Sequence, residues 1–192
     1  MFGTGNKLLF VMISFIVFPA NGFCSSFGFF GGHIGYMSAP SYLETAFEDS
    51  STVSYGADGI YLFSSKDDGM SFGVSGAYSA ATFDASDVDA EMDFSSFGIA
   101  PIVGAVTDSG NGQKTAWWVG YEFDSINVDL NFNDSSLSGF DFSEDTSGNA
   151  VIAGFGSVNE QSNLGFILGA RYYFFDNSDS TFEVFLGAGL GF

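Results

Sequence analysis

The 192-residue sequence carries 23 acidic side chains against 4 lysines and arginines, a formal net charge of −19, together with 25 Phe and 26 Gly. So acidic a chain lacks the basic surface that nucleic acid requires, and no nucleic-acid partner is expected. Cys24 is the one cysteine, which excludes an intramolecular disulfide; abundant Phe, Gly and Ser beside such acidity suits a barrel with acidic loops and a greasy outer wall better than a soluble core.

Lys7, the apolar run from Leu8 to Phe18, and then Pro19, Ala20, Asn21 and Gly22 follow the order of a secretory signal peptide. The run stops short of the ~20 apolar residues a spanning helix needs. Export is therefore expected, with residues 1–22 cleaved and 23–192 forming one domain. Cys24 then reads as an ordinary N-terminal residue or, against the pattern set by Phe23, as a lipid acceptor. At roughly 10 residues per membrane strand plus connections, the mature portion fits about eight strands. After Gly22 there is neither a helical period nor a run of 18 apolar residues, so membrane insertion would fall to strands.

Alternation with period two then marks the strands in order. In the first, Gly28, Phe30, Gly32, Ile34 and Tyr36 share one face, with Phe29, Gly31, His33 and Gly35 opposite. Val53 to Phe63 reads as the second. The third sets Met70, Phe72, Val74, Gly76, Tyr78 and Ala80 outward against Ser71, Gly73, Ser75, Ala77 and Ser79 inward. Phe94 to Ala105 gives a fourth, in which Pro101 removes a ladder donor and whose facing the sequence leaves open.

Trp117, Val119, Tyr121 and Phe123 alternate with Trp118, Gly120, Glu122 and Asp124, after which the apolar parity passes to Ile126, Val128, Leu130 and Phe132. A bulge near Ser125 accounts for this; a tight hairpin there is the alternative. Ala150 to Ser157 supplies the sixth strand. In the seventh, Leu164, Phe166, Leu168, Ala170, Tyr172 and Phe174 face outward, and Gly165, Ile167, Gly169, Arg171 and Tyr173 inward. In the last, Phe182, Val184, Leu186, Ala188, Leu190 and Phe192 oppose Glu183, Phe185, Gly187, Gly189 and Gly191.

The fold class expected is all-β, a closed antiparallel transmembrane barrel in an up-and-down meander. With both chain ends in the periplasm, four connections become external: 37–52, 84–93, 133–148 and 176–180. Lys66 and Lys114 then fall in periplasmic turns, while the external loops hold acids and no lysine or arginine. Tyr36, Tyr55, Tyr78, Tyr172 and Phe182 would form an outer aromatic girdle, and Phe63, Phe72, Trp117, Phe166 and Phe192 an inner one. A barrel this narrow should be plugged by few, mostly small side chains.

The closing run from Phe185 to Phe192, with Gly187, Leu190 and the final Phe192 at the key positions, resembles the C-terminal assembly signal of outer-membrane barrels, apart from Phe185, where that signal usually has a polar residue. Together with the leader, the whole mature chain resembles the small opacity-protein, OmpA-type and OmpX-type barrels. The resemblance implies assembly by the outer-membrane insertion machinery, residence in the bacterial outer membrane, and lipids and lipopolysaccharide as neighbours.

Two sets of residues are candidates for chemistry. His33, the only histidine, and Arg171, with the acids Glu183, Glu122 and Asp124, should form a charge network in the lumen, since a lone buried charge costs several kcal/mol unless paired. His33 also invites comparison with lipid-modifying barrel enzymes, but no G-x-S-x-G marks a nucleophile. Conduction of protons or ions along these groups is a further alternative. Asp87, Asp89, Glu91 and Asp93 would put four carboxylates on one side of an extended loop, either as a solvated acidic loop or as a divalent-cation site. With Glu44, Glu48, Asp49, Asp141, Glu144 and Asp145 they make the outer surface negative.

The leading expectation is a non-enzymatic outer-membrane barrel without cofactors, serving envelope integrity or surface contacts through its acidic external loops. The alternatives are a narrow channel for small or hydrophobic solutes and, less favoured, a lipid-directed enzyme.

Overall fold

A computed structural model describes residues 25–39, 51–64, 68–85, 90–132, 142–175 and 180–192. The leader, Cys24, Lys66, Asp87, Asp89 and most of the expected external connections lie outside the described residues. Eight strands follow in chain order: β1 (Ser25–Ser38), β2 (Ser51–Ser64), β3 (Asp68–Ala85), β4 (Ala90–Asp108), β5 (Gln113–Phe132), β6 (Phe142–Asn159), β7 (Leu164–Phe174) and β8 (Ser180–Gly191). Each pairs antiparallel with the next, and β1 pairs with β8 from Phe29↔Gly191 to Met37↔Glu183, so the sheet is a closed barrel. Closure leaves no edge strand with unpaired backbone groups.

Period-two alternation decides what each strand presents. β7 alternates without a fault, with Leu164, Phe166, Leu168 and Tyr172 exposed and Gly165, Ile167, Gly169, Arg171 and Tyr173 buried. β4, whose facing the sequence left open, buries its even positions from Ala90 to Val106 and turns Pro101 outward. Pro101 has a cost in pairing: β4 joins β5 at Ile99↔Phe123 and Ile102↔Gly120 but skips the two positions between.

The expected bulge near Ser125 is absent, as is the alternative hairpin. β5 pairs in one unbroken register with β6 from Gln113↔Asn159 to Leu130↔Phe142, and Ile126 is fully buried on the same face as Glu122 and Asp124. What changes beyond Phe123 is therefore which face carries the apolar residues. The outward residues become Ser125, Asn127, Asp129 and Asn131, while Ile126, Val128, Leu130 and Phe132 pack inward with Phe83, Met92 and Phe94 from β3 and β4. At this end the barrel has a polar outside and an apolar inside, like a water-soluble one.

These strands are longer than the sequence suggested, so Glu91 and Asp93 sit outward on β4 and not in a loop. Direct cross-strand partners there are like-charged, Asp84↔Glu91 and Asp93↔Asp129. Neutral donors temper the repulsion: Thr82 Oγ1 donates to Asp93 at 2.7 Å and Asn127 Nδ2 to Asp145 at 2.8 Å. At the other end the β4–β5 and β6–β7 connections are tight. Asp108, Asn111 and Asn159 accept backbone N–H bonds inside their turns, and Gly110, Gly112 and Asn163 take positive φ. Lys114 stands on β5 beside these turns and pairs with Glu160 at 2.5 Å.

The lumen is filled, though not mainly by small side chains. Phe27, Phe29, Leu62, Ile102, Trp118 and Ile167 pack its short-turn end, and Met37, Phe83, Met92, Phe94 and Ile126 its opposite end. Glycines across from them make the room. A Cβ on Gly165 would meet Phe29 Cδ2 at 2.8 Å and Val158 at 3.2 Å, and one on Gly156 would meet Phe27 Cζ at 2.7 Å. Gly32 differs, for it faces outward and its Cβ would have only Gly56 O at 3.6 Å nearby. Gly165→Val should therefore destabilise the detergent-folded barrel by about 1–3 kcal/mol, and Gly32→Ala by no more than ~0.5 kcal/mol. Denaturant midpoints followed by the fluorescence of Trp117 and Trp118 check this; equal midpoints for the two variants would contradict the packed interior.

Candidate functional site: an ionic ring inside the barrel

Between the two apolar plugs the inward positions turn polar at one level on several strands. β1 contributes His33, β2 contributes Ser54 and Asp58, β3 Ser75 and Ser79, β5 Glu122 and Asp124, β7 Arg171 and Tyr173, and β8 Glu183; all are buried. A charged residue in the middle of a strand whose neighbours at i±1 are apolar and outward can only point inward.

Four of these close a ring. His33 Nδ1 lies 2.6 Å from Asp58 Oδ2, and its Nε2 lies 3.3 Å from Glu183 Oε1. Arg171 pairs through Nη2 with Asp58 Oδ1 and through Nη1 with Glu183 Oε2 at 3.0 Å. Each base bridges both acids and each acid both bases. Since both imidazole nitrogens face carboxylate oxygens, the ring suits the imidazolium form, which donates on both sides. Two cations and two anions then balance, the condition under which buried charge is tolerated.

Glu183 is the hub. Its oxygens also accept from Ser54 Oγ at 2.6 Å, Ser79 Oγ at 3.0 Å and Tyr173 OH at 3.3 Å. The ring thus ties β8 to β1, β2, β3 and β7 through the lumen, across the seam where the first and last strands meet. Phe185 lies against it, with the Arg171 guanidinium carbon 4.2 Å from its ring centroid and the His33 ring 4.9 Å away. That contact is a reason for an aromatic residue where the assembly signal would have a polar one: it gives the Arg171 guanidinium a π face and packs against the His33 ring. Gly56 clears the other side, where a Cβ would meet His33 Cε1 at 2.6 Å.

Of the expected network, His33, Arg171 and Glu183 meet directly. Of the ring's members Glu122 faces only Arg171, at Nε and 3.5 Å, and Asp124 stands beside Glu122 outside the ring. Asp58, the acid that completes the ring, was not anticipated. Its signal was present: Asp58 alternates with outward Ala57 and Gly59 inside a strand, the same argument that turned Arg171 inward. Gly187 and Phe192 have local structural tasks. A Cβ on Gly187 would press on Ile167 Cγ1 at 2.7 Å, and Phe192 exchanges backbone hydrogen bonds with Gly28 at 2.7 and 3.0 Å. Leu190 faces outward and is exposed. Glu91 and Asp93 share an outward face of β4, while Asp87 and Asp89 fall outside the described residues; among those described, no three or more His, Cys, Asp or Glu are placed to hold a metal ion.

Asp58, His33 and Ser79 stand in the order of an acid, a base and a hydroxyl, with Ser79 Oγ 3.4 Å from His33 Nε2. The arrangement cannot activate the serine. A base needs a free lone pair, and both imidazole nitrogens are taken up by carboxylates; Ser79 gives its proton to Glu183 and accepts from Arg171 Nη1 at 3.3 Å. Ser79 is also fully buried.

Removing one member of the ring leaves its partners charged and unpaired, so Arg171→Met should destabilise the folded protein by about 3–5 kcal/mol. Arg171→Lys should recover only part of this, because an ammonium cannot span Asp58 and Glu183 as the planar fork does. Equilibrium unfolding of the three proteins in detergent tests the order wild type, Lys, Met; a Met variant as stable as wild type would show that the ring holds nothing together.

No protein-family model and no curated protein matches the chain. Among solved structures it is similar to Ail, the attachment invasion locus protein of Yersinia pestis, at 17% identity over 87% of this chain and 98% of that one, with a TM-score of 0.53. It is likewise similar to Neisserial surface protein A, at 13% identity over 86% of this chain and 98% of that one, with a TM-score of 0.52. At such identities the likeness is one of fold: the chain is a closed eight-stranded antiparallel barrel of the kind found in small outer-membrane proteins.

Proposed function

We propose that this chain is an integral barrel of a bacterial outer membrane, a non-enzymatic anchor that presents an acidic rim outside the bilayer for envelope integrity or surface contacts. The observation that carries the reading is the wall itself. Large apolar side chains are exposed on every strand, among them Ile34, Tyr55, Phe72, Ile99, Trp117, Phe155, Leu168 and Leu186, each at least 38% accessible. A monomer in water does not expose so continuous an apolar surface, whereas acyl chains solvate it at no cost. Aromatic pairs on this face, Tyr61 with Phe63, Tyr121 with Phe123 and Tyr172 with Phe174, stack edge-on at 4.6 to 5.4 Å, as expected of girdles at a membrane boundary.

The belt ends where the outward residues of β4 and β5 become Glu91, Asp93, Asn127 and Asp129, so these strands stand clear of the bilayer on the side away from the short turns. In this reading residues 1–22 are the leader removed on export, 23–192 the mature barrel, and the insertion machinery the catalyst of its assembly. The negative rim suits divalent cations that bridge it to the phosphates of lipopolysaccharide. The filled lumen and the unreactive Ser79 speak for an anchor over a channel or an enzyme.

Purified residues 23–192 should fold only with detergent or bilayer present and show the slower mobility on heating that closed barrels display in gels. In proteoliposomes the folded protein should give no steady conductance. A monomer that is folded in plain buffer would overturn the membrane assignment, and regular channel openings abolished by Arg171→Met would overturn the anchor.

A further inference from the structure

The ionic ring uses two of the interior acids and leaves two. Glu122 is fully buried and Asp124 is 5% exposed. None of their four carboxyl oxygens has a hydrogen-bond partner among the described residues. Inward neighbours on the same strand, they converge on the bare backbone of Gly98 in β4, where a Cβ would meet Glu122 Cγ at 2.5 Å and Glu122 Cδ at 2.7 Å and would run into Asp124 Oδ1 as well.

The charged groups around them are all accounted for. Arg171 on β7 is the nearest cation, but its two terminal nitrogens belong to Asp58 and Glu183, and only Nε faces Glu122, at 3.5 Å. His33 on β1 is engaged on both sides by Asp58 and Glu183. Tyr173 on β7 directs its hydroxyl to Glu183. On β4 the inward residues at this level are Ser96, Gly98 and Ala100, and on β6 they are Gly148, Ala150 and Ile152, none of them charged. The ring is neutral within itself, so two further carboxylates would leave the dry interior with two uncompensated negative charges, a state that low-dielectric surroundings do not support.

We propose that Glu122 and Asp124 form a proton-binding site in the lumen, the two carboxyl groups holding one proton between them, one as the acid that donates and the other as the carboxylate that accepts. A proton is the ligand that fits. It needs only two oxygens, whereas a hard metal cation takes six or more and would stand beside the Arg171 guanidinium. The proton supplies the donor that these oxygens lack, and the remaining single charge faces Arg171 Nε. When the proton leaves, the two anions face each other and are relieved only by water or a cation entering the lumen. Occupancy of the site therefore sets whether the middle of the barrel is dry.

Infrared spectroscopy of the folded protein in detergent at neutral pH separates a protonated carboxyl group, through its carbonyl stretch, from the carboxylates that every exposed acid contributes. One protonated carboxyl band is expected in the wild type, and its loss in both Glu122→Gln and Asp124→Asn, whose amides supply a neutral donor to the remaining carboxylate. Absence of the band from the wild-type protein overturns the proposal even if both variants fail to fold. So does a band that survives in a double variant, which would place the proton elsewhere, or a spectrum of carboxylates alone in a protein stabilised by added sodium or calcium, which would make a metal ion the missing charge.

Discussion

Pairing of β1 with β8 is the constraint on which everything else rests. An open eight-stranded sheet would present two rows of unpaired N–H and C=O groups, and away from water each such group costs several kcal/mol. Closing the sheet satisfies the backbone but encloses a narrow space that must be filled. Aromatic side chains facing glycines fill its ends, and the level between them holds the charges. The seam between the chain's first and last strands, which no hairpin joins, is held by nine residue pairs of ladder and, from inside, by His33 and Glu183. The ionic ring reinforces the one junction that connectivity does not.

Glycine has two roles in this wall. At Gly56, Gly98, Gly156, Gly165 and Gly187 a side chain would collide with an interior group, so the missing Cβ is part of the packing of the partner opposite. At Gly32, facing outward, nothing inside demands it. The interior therefore resembles a folded-protein core turned to line a cylinder, large against small, with the polar level substituted for its middle layer.

An ionic cluster buried this way is weak evidence of net stabilisation, since apolar residues of similar volume often serve as well. Its value lies in specificity. Glu183 accepts from partners on β1, β2, β3 and β7, and such a hub has few alternative registers in which every donor is satisfied. A one-residue slip of β8 would turn Glu183 toward the outer face and leave Arg171 and His33 without a common acceptor. Surplus acid in Glu122 and Asp124 lies outside that logic, and it is this surplus that calls for a bound positive charge.

The sequence by itself determined the architecture, because period-two alternation is a local property that each strand carries independently. The facing of β1, β3, β7 and β8 and the inward turn of Arg171 follow from it. It misleads at Ser125, where a change of parity suggests a change of register. Parity reports which face is apolar, not which face is inside, and the two part company where the outward residues of a strand turn polar and its inward ones apolar. Only the tertiary structure could show that β5 runs on unbroken and that its outward residues, not its register, change there. Only it could bring Asp58 to His33 and Arg171, since stagger around a closed cylinder decides which inward residues share a level, and that stagger is written in no single strand.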